Sequence, residues 1–328
     1  MISKLSIAAL CGVVSALVLV GSATGGGFVL AISYLFVAAA PIVFVGLGWG
    51  WLSCFVATGV AALLLLVIPS PGAAALHLVT IGLPYTIVSY LLLLYRESVG
   101  ADGKPVVEWY PPGRVLGVIA LIAGCVGSIA IFSIATNIDD LQSRVREFVG
   151  QFATVLAERG VNFPGGEVRN PTDQQLDELS RLMTRSFGAL IATVWMMIAC
   201  LNLWIGASIA QASGKLQRPW PDLSLMVLPR ETPLAFVAAI GLSFLPGMAG
   251  LVAACFASAI FFAYVFIGLA ILHNVTRGKS ARPFILGAAY AALLLFMPAP
   301  FIIAIIGIAE PVSPLRRQFG SGSPSPDD

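Results

Sequence analysis

The chain has 328 residues, of which 58% are hydrophobic and only 10% are charged, and its mean hydropathy is +0.94. A formal net charge of +2, with no basic patch interleaved with aromatics, argues against a nucleic-acid binder. From Leu5 to Tyr95 the sequence runs 91 residues without Asp, Glu, Lys or Arg, which excludes a soluble domain. A charge at the centre of a spanning helix costs about 2.5–3.5 kcal/mol, and about 20 residues cross the hydrocarbon once, so such a run has room for four spans.

Taken in chain order, Lys4 and the apolar segment Leu5–Val20, followed by Ser22-Ala23-Thr24, have the pattern of a cleavable signal peptide. The residues after that site form another charge-free run, so the segment reads as a retained first span. Breaks at Gly25-Gly26-Gly27, Gly46–Gly50 and Pro69-Ser70-Pro71-Gly72 predict spans near 5–23, 28–46, 51–68 and 73–95. The 96–114 segment reads as a loop, and a fifth span covers about 115–136.

The stretch 139–185 is different. Leu141, Val145, Phe148, Val149, Phe152, Val155 and Leu156 recur at helical spacing, with Asp139 and Asp140 suited to the first turn and Gly160 to the end. Beyond a Pro/Gly loop, Thr172–Gln175 has the form of a capping box ahead of Leu176, Leu179, Leu182 and Met183. Two antiparallel surface helices are expected, either packed stripe to stripe or on the bilayer, or forming a lid. A sixth span follows at about 187–210. The run 232–276 should hold two spans meeting near Pro246-Gly247. The last segment, 284–308, carries Pro298 and Pro300 and should kink or re-enter.

The expectation is an all-α, polytopic transmembrane bundle of 8–9 spans with an extramembrane amphipathic hairpin. Its segments would be an N-terminal membrane bundle at 1–138, the hairpin at 139–185, a C-terminal membrane bundle at 186–310, and a disordered Ser/Pro/Gly tail at 311–328. Lys4 and the basic short loops 96–114, 215–231 and 277–282 should lie in the cytoplasm, with 139–185 outside. Arg316 and Arg317 break this pattern unless one of the late segments fails to cross.

Motifs for chemistry are scarce. There is no GxxxxGK[ST], HExxH, GxSxG or CxxC. The five cysteines read as small hydrophobes, and His77 and His273 as packed or interfacial residues. No enzyme, metal or cofactor is expected. Uncharged polar and aromatic groups within spans remain, and Tyr85, Tyr90, Trp195, Asn202 and Trp204 are the candidate substrate-binding set, with helix-to-helix bonding as the alternative for each. Ala8-x-x-x-Gly12-x-x-x-Ala16 and Ala120-x-x-x-Gly124-x-x-x-Ser128 allow close helix approach, within the chain or with a partner.

Pro41–Gly48, Gly268–His273, Ile306–Glu310 and Leu315–Phe319, with the placement of the outer insertion, resemble the YybS-like family of bacterial membrane proteins. That family is grouped with the substrate-binding S components of energy-coupling factor transporters. The resemblance implies a multi-pass protein of the bacterial inner membrane that binds a small molecule and docks on a transmembrane T subunit driven by two ATPases. It also implies docking through the first span, at Ala8, Gly12 and Ala16, although Gly12 stands where the family pattern has Ala, and Glu310-Pro311 where it has Asp. Two functions follow. One is a transporter-like, substrate-binding subunit without its own ATPase. The other is a non-transporting assembly protein that binds other membrane proteins.

Overall fold

A computed structural model describes residues 3–24, 37–68, 70–99, 103–158, 172–311 and 315–316. The helices are α1 (Lys4–Thr24), α2 (Ala39–Trp49), α3 (Trp51–Val67), α4 (Pro71–Leu92), α5 (Pro112–Ile134), α6 (Ile138–Glu158), α7 (Asp173–Ala212), α8 (Thr232–Ser243), α9 (Gly247–Val275), α10 (Arg282–Leu295) and α11 (Ala299–Ala309). Strands β1 (Tyr95–Val99) and β2 (Pro105–Trp109) form one antiparallel hairpin. Five helices, α1, α4, α5, α7 and α9, are long and apolar enough to cross a membrane, and α2, α3, α8, α10 and α11 are shorter apolar helices.

The chain divides into two compact units. One comprises Met1–Ile122, Trp195–Thr232 and Phe261–Asp328, the other Ala123–Val194 and Pro233–Ile260. Boundaries between them fall within α5, α7 and α9.

In the first unit, small residues set the helix spacing. Ala8 and Ala16 are buried, and a Cβ added at Gly12 would meet the Ala57 carbonyl and, at 3.1 Å, the Val60 side chain. Gly12, at the centre of the Ala8/Gly12/Ala16 face proposed from the sequence for partner docking, thus packs on α3. Gly206 receives Val43 in the same way. Where α9 meets α11, Gly268 faces the Ile303 backbone and Gly307 faces the Tyr264 backbone, so the two glycines let these helices touch.

One end of this unit gathers the basic segments. Gln217 reaches the C-terminus of α2, its amide donating to Leu47 O at 3.2 Å. The buried Arg218 donates from Nη1 to Leu92 O at 3.1 Å, and its guanidinium lies 5.8 Å from the Trp109 ring centre. Asp222 caps the turn Leu223–Leu225 and pairs with Arg277 at 2.8 Å. Partial burial opposes ionisation of Asp222, but hydrogen bonds from Ser224 and Arg277 outweigh it and hold its carboxyl below the usual range. Arg316, only 2% exposed, donates to Met226 O at 2.9 Å. Glu310 accepts the amides of Leu315 and Arg316 and its carboxylate stands 3.9 Å from the Arg316 guanidinium.

Arg316 therefore sits with the loops at 215–231 and 277–282, and the last apolar segment enters and leaves at the same end. The last apolar segment at 284–308, expected to kink or re-enter, forms two helices. α10 has 14 residues and α11 has 11, about 21 and 16 Å at 1.5 Å per residue, too short for a hydrocarbon core of about 30 Å. Pro298 and Pro300 supply no amide hydrogens, so the ladder stops at Phe296, which is extended at φ −125° and ψ 104°. The expected loop at 96–114 also differs. Val106, Val107, Tyr95 and Trp109 favour strand, Gly103 takes φ 75°, and Arg96 pairs across the hairpin with Glu108.

The second unit packs α6 through Leu141, Val145 and Val149 onto Ile131, Ala192, Leu251 and Cys255. A Cβ added at Gly127 or Gly188 would crowd Cys255 Sγ, at 3.2 and 2.7 Å, and one at Gly124 would meet Phe256, so the Gly124 face of α5 is used internally. Arg146 donates from Nε to Asp177 at 2.6 Å and from Nη2 to Asp173 at 3.0 Å, joining α6 to α7. The hydrogen bond and charge of Asp177 raise the Arg146 pKa further. The capping box is present: Gln175 N donates to Thr172 Oγ1 at 3.3 Å and Thr172 N to Gln175 Oε1 at 3.0 Å. The helix it starts does not end before the membrane. α7 continues for 40 residues, because its lone interior glycines weaken a helix by about 1 kcal/mol each without breaking it. The expected second surface helix is thus the first part of a long span, and Gly160 lies outside the described residues.

The α9–α11 crossing tests this packing. Gly307→Val should lower stability by about 1–3 kcal/mol through overpacking on the Tyr264 backbone. Gly287→Ala, where a new Cβ meets nothing within 4 Å, should be neutral or stabilise by about 0.5–1 kcal/mol. Thermal denaturation in detergent checks both.

Candidate functional site

The ladder of α4 changes register halfway along the helix. Its sequence places Pro84 four residues after Thr80, and proline has no N–H, so an α-helix would leave the Thr80 carbonyl without its usual donor. The helix responds with a π-turn over Leu78–Gly82, in which Leu83 N bonds back to Leu78 O. Trp195 on α7 supplies the donor, its Nε1–H reaching Thr80 O at 2.8 Å. Tyr85, one residue past Pro84, is buried, with its ring centre 6.4 Å from that of Trp195.

Beside this junction runs a seam of small hydroxyls between α3 and α4. Thr86 Oγ1 donates to Gly82 O at 2.7 Å, and Thr58 Oγ1 lies 3.3 Å from both Gly82 O and Thr86 Oγ1. Cys54 Sγ is 3.5 Å from Thr86 Oγ1. Immediately before the π-turn, the fully buried His77 places Nε2 at 2.8 Å from Ser15 Oγ, while Ser15 donates to Ala38 O at 2.7 Å. Ser15 has one hydrogen, so His77 Nε2 is the donor of the pair and Nδ1 carries the lone pair. Among the described residues Nδ1 has no hydrogen-bond partner.

Of the five candidate binding residues, the structure brings Tyr85 and Trp195 together. Asn202 is buried two turns along the same helix, and its Nδ2 donates to Ile198 O of its own helix at 3.0 Å. Tyr90 and Trp204 do not join them: Tyr90 is 43% exposed and stacks edge-on against Trp51, and Trp204 is 56% exposed. Thr58, Ser15 and the π-turn were not singled out in the sequence. Pro84 inside a predicted span was their available signal.

The junction offers aromatic surface, a tryptophan N–H, hydroxyls and peptide carbonyls, with no ionic group. That chemistry suits a neutral or amphipathic partner molecule. Among the described residues no three His, Cys, Asp or Glu side chains gather as metal ligands.

Trp195→Phe should cost about 0.6 and at most about 1.7 kcal/mol, the range for hydrogen bonds between membrane helices. In a Pro84→Ala background, where residue 84 regains an N–H able to serve Thr80 O, the same change should cost less. A double-mutant cycle by thermal or denaturant unfolding reads that coupling. Asn202→Ala, whose amide bonds within its own helix, should shift stability by less than about 1 kcal/mol.

Residues 13–310 match the model of a family described as Predicted membrane protein (DUF2232). No curated protein and no solved structure matches the chain. The match takes in nearly all of the described helices, from within α1 to the end of α11, and agrees with their apolar character. The chain belongs to the DUF2232 family of predicted membrane proteins.

Proposed function

We propose that the chain is a transporter-like, substrate-binding subunit of the bacterial inner membrane that has no ATPase of its own and takes a small uncharged or amphipathic molecule. The observation that carries this reading is the π-turn of α4, with Trp195 and Tyr85 at its opened carbonyl. Irregular backbone at membrane depth persists where protein or a cavity satisfies it, and interrupted helices build the midplane sites of many transporters. The half-helices α10 and α11 are a second interruption of this kind. Charge-free spans favour a ligand without a strong ionic group, which would need a buried counter-charge.

The resemblance to S components supports the same reading, with a T subunit and ATPases as partners. Docking through Ala8, Gly12 and Ala16 is less favoured, because Gly12 packs on α3 and Ala8 and Ala16 are buried within the chain. The basic end, where Arg218, Arg277 and Arg316 are held, is the more suitable contact for such partners.

The same end is proposed to face the cytoplasm, as positive charge in short loops requires. Gly12 meets α3 about two turns from Trp51, whereas Ser15 meets α4 about four turns from Leu92. Hence α1 runs away from the basic end and Lys4 lies toward it, consistent with a cytoplasmic N-terminus. The pair α10–α11, which leaves and returns at this end, then forms a re-entrant segment.

A second reading, an assembly protein that holds other membrane proteins, is favoured by one observation. The two cavities described, of about 340 and 210 Å³, both open at the basic end, and neither is lined by a π-turn residue.

Purification in mild detergent with mass spectrometry of bound proteins and small molecules separates the two. The transporter reading expects a T-like subunit with ATPases and a retained small molecule that Tyr85→Ala abolishes. Recovery of other membrane proteins alone, without ATPase or ligand, would favour assembly. For orientation, Gln151→Cys in a background lacking the native cysteines should react with an impermeant maleimide in intact cells. Reaction only after permeabilisation would reverse the assignment.

A further inference from the structure

The turn between α9 and α10 carries Arg277, Lys279 and Arg282. Arg277 is neutralised by Asp222 at 2.8 Å, and Arg316, nearby, has Glu310 at 3.9 Å. Among the described residues, neither Lys279 nor Arg282 has a carboxylate within ion-pair distance. Arg282 N donates to Lys279 O at 3.1 Å, so both cations belong to one tight turn.

Beside that turn opens a groove of about 210 Å³. Ile271, Leu272 and Val275 of α9, Ile306 of α11, and Leu315 form its walls, and the side-chain carbons of Lys279 complete a wholly apolar lining. Leu315 is held in place by its amide, which donates to the Glu310 carboxylate at 3.0 Å. Every lining residue except Lys279 is aliphatic. The groove therefore asks for hydrocarbon along its length, and the Lys279 ammonium, which is not part of the apolar lining, offers a cation at its rim. A soluble anion meets the second feature only. A zwitterionic lipid meets the first, but brings its own cation into competition with Lys279. A lipid with a net negative headgroup meets both, and the cluster of basic residues at this end concentrates such lipids in the adjoining leaflet.

We propose that this groove holds one anionic phospholipid, with an acyl chain against Ile271, Leu272, Val275 and Ile306 and its phosphate on the Lys279 ammonium. The site is independent of the π-turn junction and does not rest on the transport reading.

The test uses the full chain, delipidated in detergent and titrated with dioleoylphosphatidylglycerol, dioleoylphosphatidylcholine or glycerol 3-phosphate. Native mass spectrometry counts adducts, and thermal denaturation reads stabilisation. Phosphatidylglycerol should bind as one retained adduct and raise the midpoint by several degrees, phosphatidylcholine should bind more weakly, and glycerol 3-phosphate should do neither. Lys279→Gln should weaken phosphatidylglycerol about fivefold, the worth of one basic residue at an anionic surface, without moving the lipid-free midpoint. Val275→Phe, or Ile306→Phe if the first does not fold, fills the groove and should weaken it as much with Lys279 intact. Lys104→Gln, on the β-hairpin turn, should change nothing. Equal retention of the two lipids would reduce the site to hydrocarbon contact. Stabilisation by glycerol 3-phosphate equal to that by phosphatidylglycerol would make it a soluble-anion site. Unchanged phosphatidylglycerol binding by Lys279→Gln would place the lipid elsewhere. Any of these three results overturns the proposal.

Discussion

Hydrocarbon solvates neither charge nor an open peptide group, and the rest of this structure follows from that exclusion. With charge barred from the spans, the helices are held by what neutral groups allow. Close backbone approach occurs at Gly12, Gly206, Gly268 and Gly307, and hydroxyls bond to carbonyls of neighbouring turns. Where a proline inside a span removes an amide hydrogen, a neighbouring helix makes good the loss. Pro84 and Trp195 are such a pair, and the π-turn is the backbone's part of the repair.

The same exclusion drives ionic groups to the helix ends, where they do structural work. At the basic end of the first unit Arg218 caps α4, Arg277 ties the α9–α10 turn to Asp222, and Arg316 ties the segment after α11 to Met226. Burial pushes the pKa of Arg218 and Arg316 down, yet an arginine keeps its proton near neutrality, so both remain cations bonded to carbonyls. Removing a partner from a buried cation costs more than the bond alone, because an unpaired charge is left behind. This is why two half-helices, each too short to cross, can be held as a pair: both of their outer ends are anchored at one face.

Much of the fold was legible because charge, glycine clusters, proline and capping residues are strong local signals. The edges of α1, α3, α5 and α9, the turn at Pro246-Gly247 and the Thr172–Gln175 box all follow from them. The merging of the second surface helix into α7 was not legible. Arg181 and Arg185 mark where polarity ends, whereas the backbone continues helical through a change of solvent at no cost. Of the candidate site, Tyr85 and Trp195 were visible as polar-edged aromatics in apolar runs, but their meeting depends on two helices 110 residues apart in sequence. Tyr90 and Trp204 carry the same composition and face outward, a difference that only packing decides.

The gathering of the late loops and Arg316 at one face is the claim on which the proposed orientation, re-entrant pair and lipid groove all depend. Single cysteines at Lys279→Cys and Ser323→Cys, in a background without the native cysteines, test it with an impermeant reagent in sealed vesicles of both orientations. Both sites should react from the same side, protected in right-side-out vesicles and labelled in inverted ones. Labelling from opposite sides would mean that the segment after α9 crosses the membrane once, contradicting the paired half-helices and the Arg316 anchor.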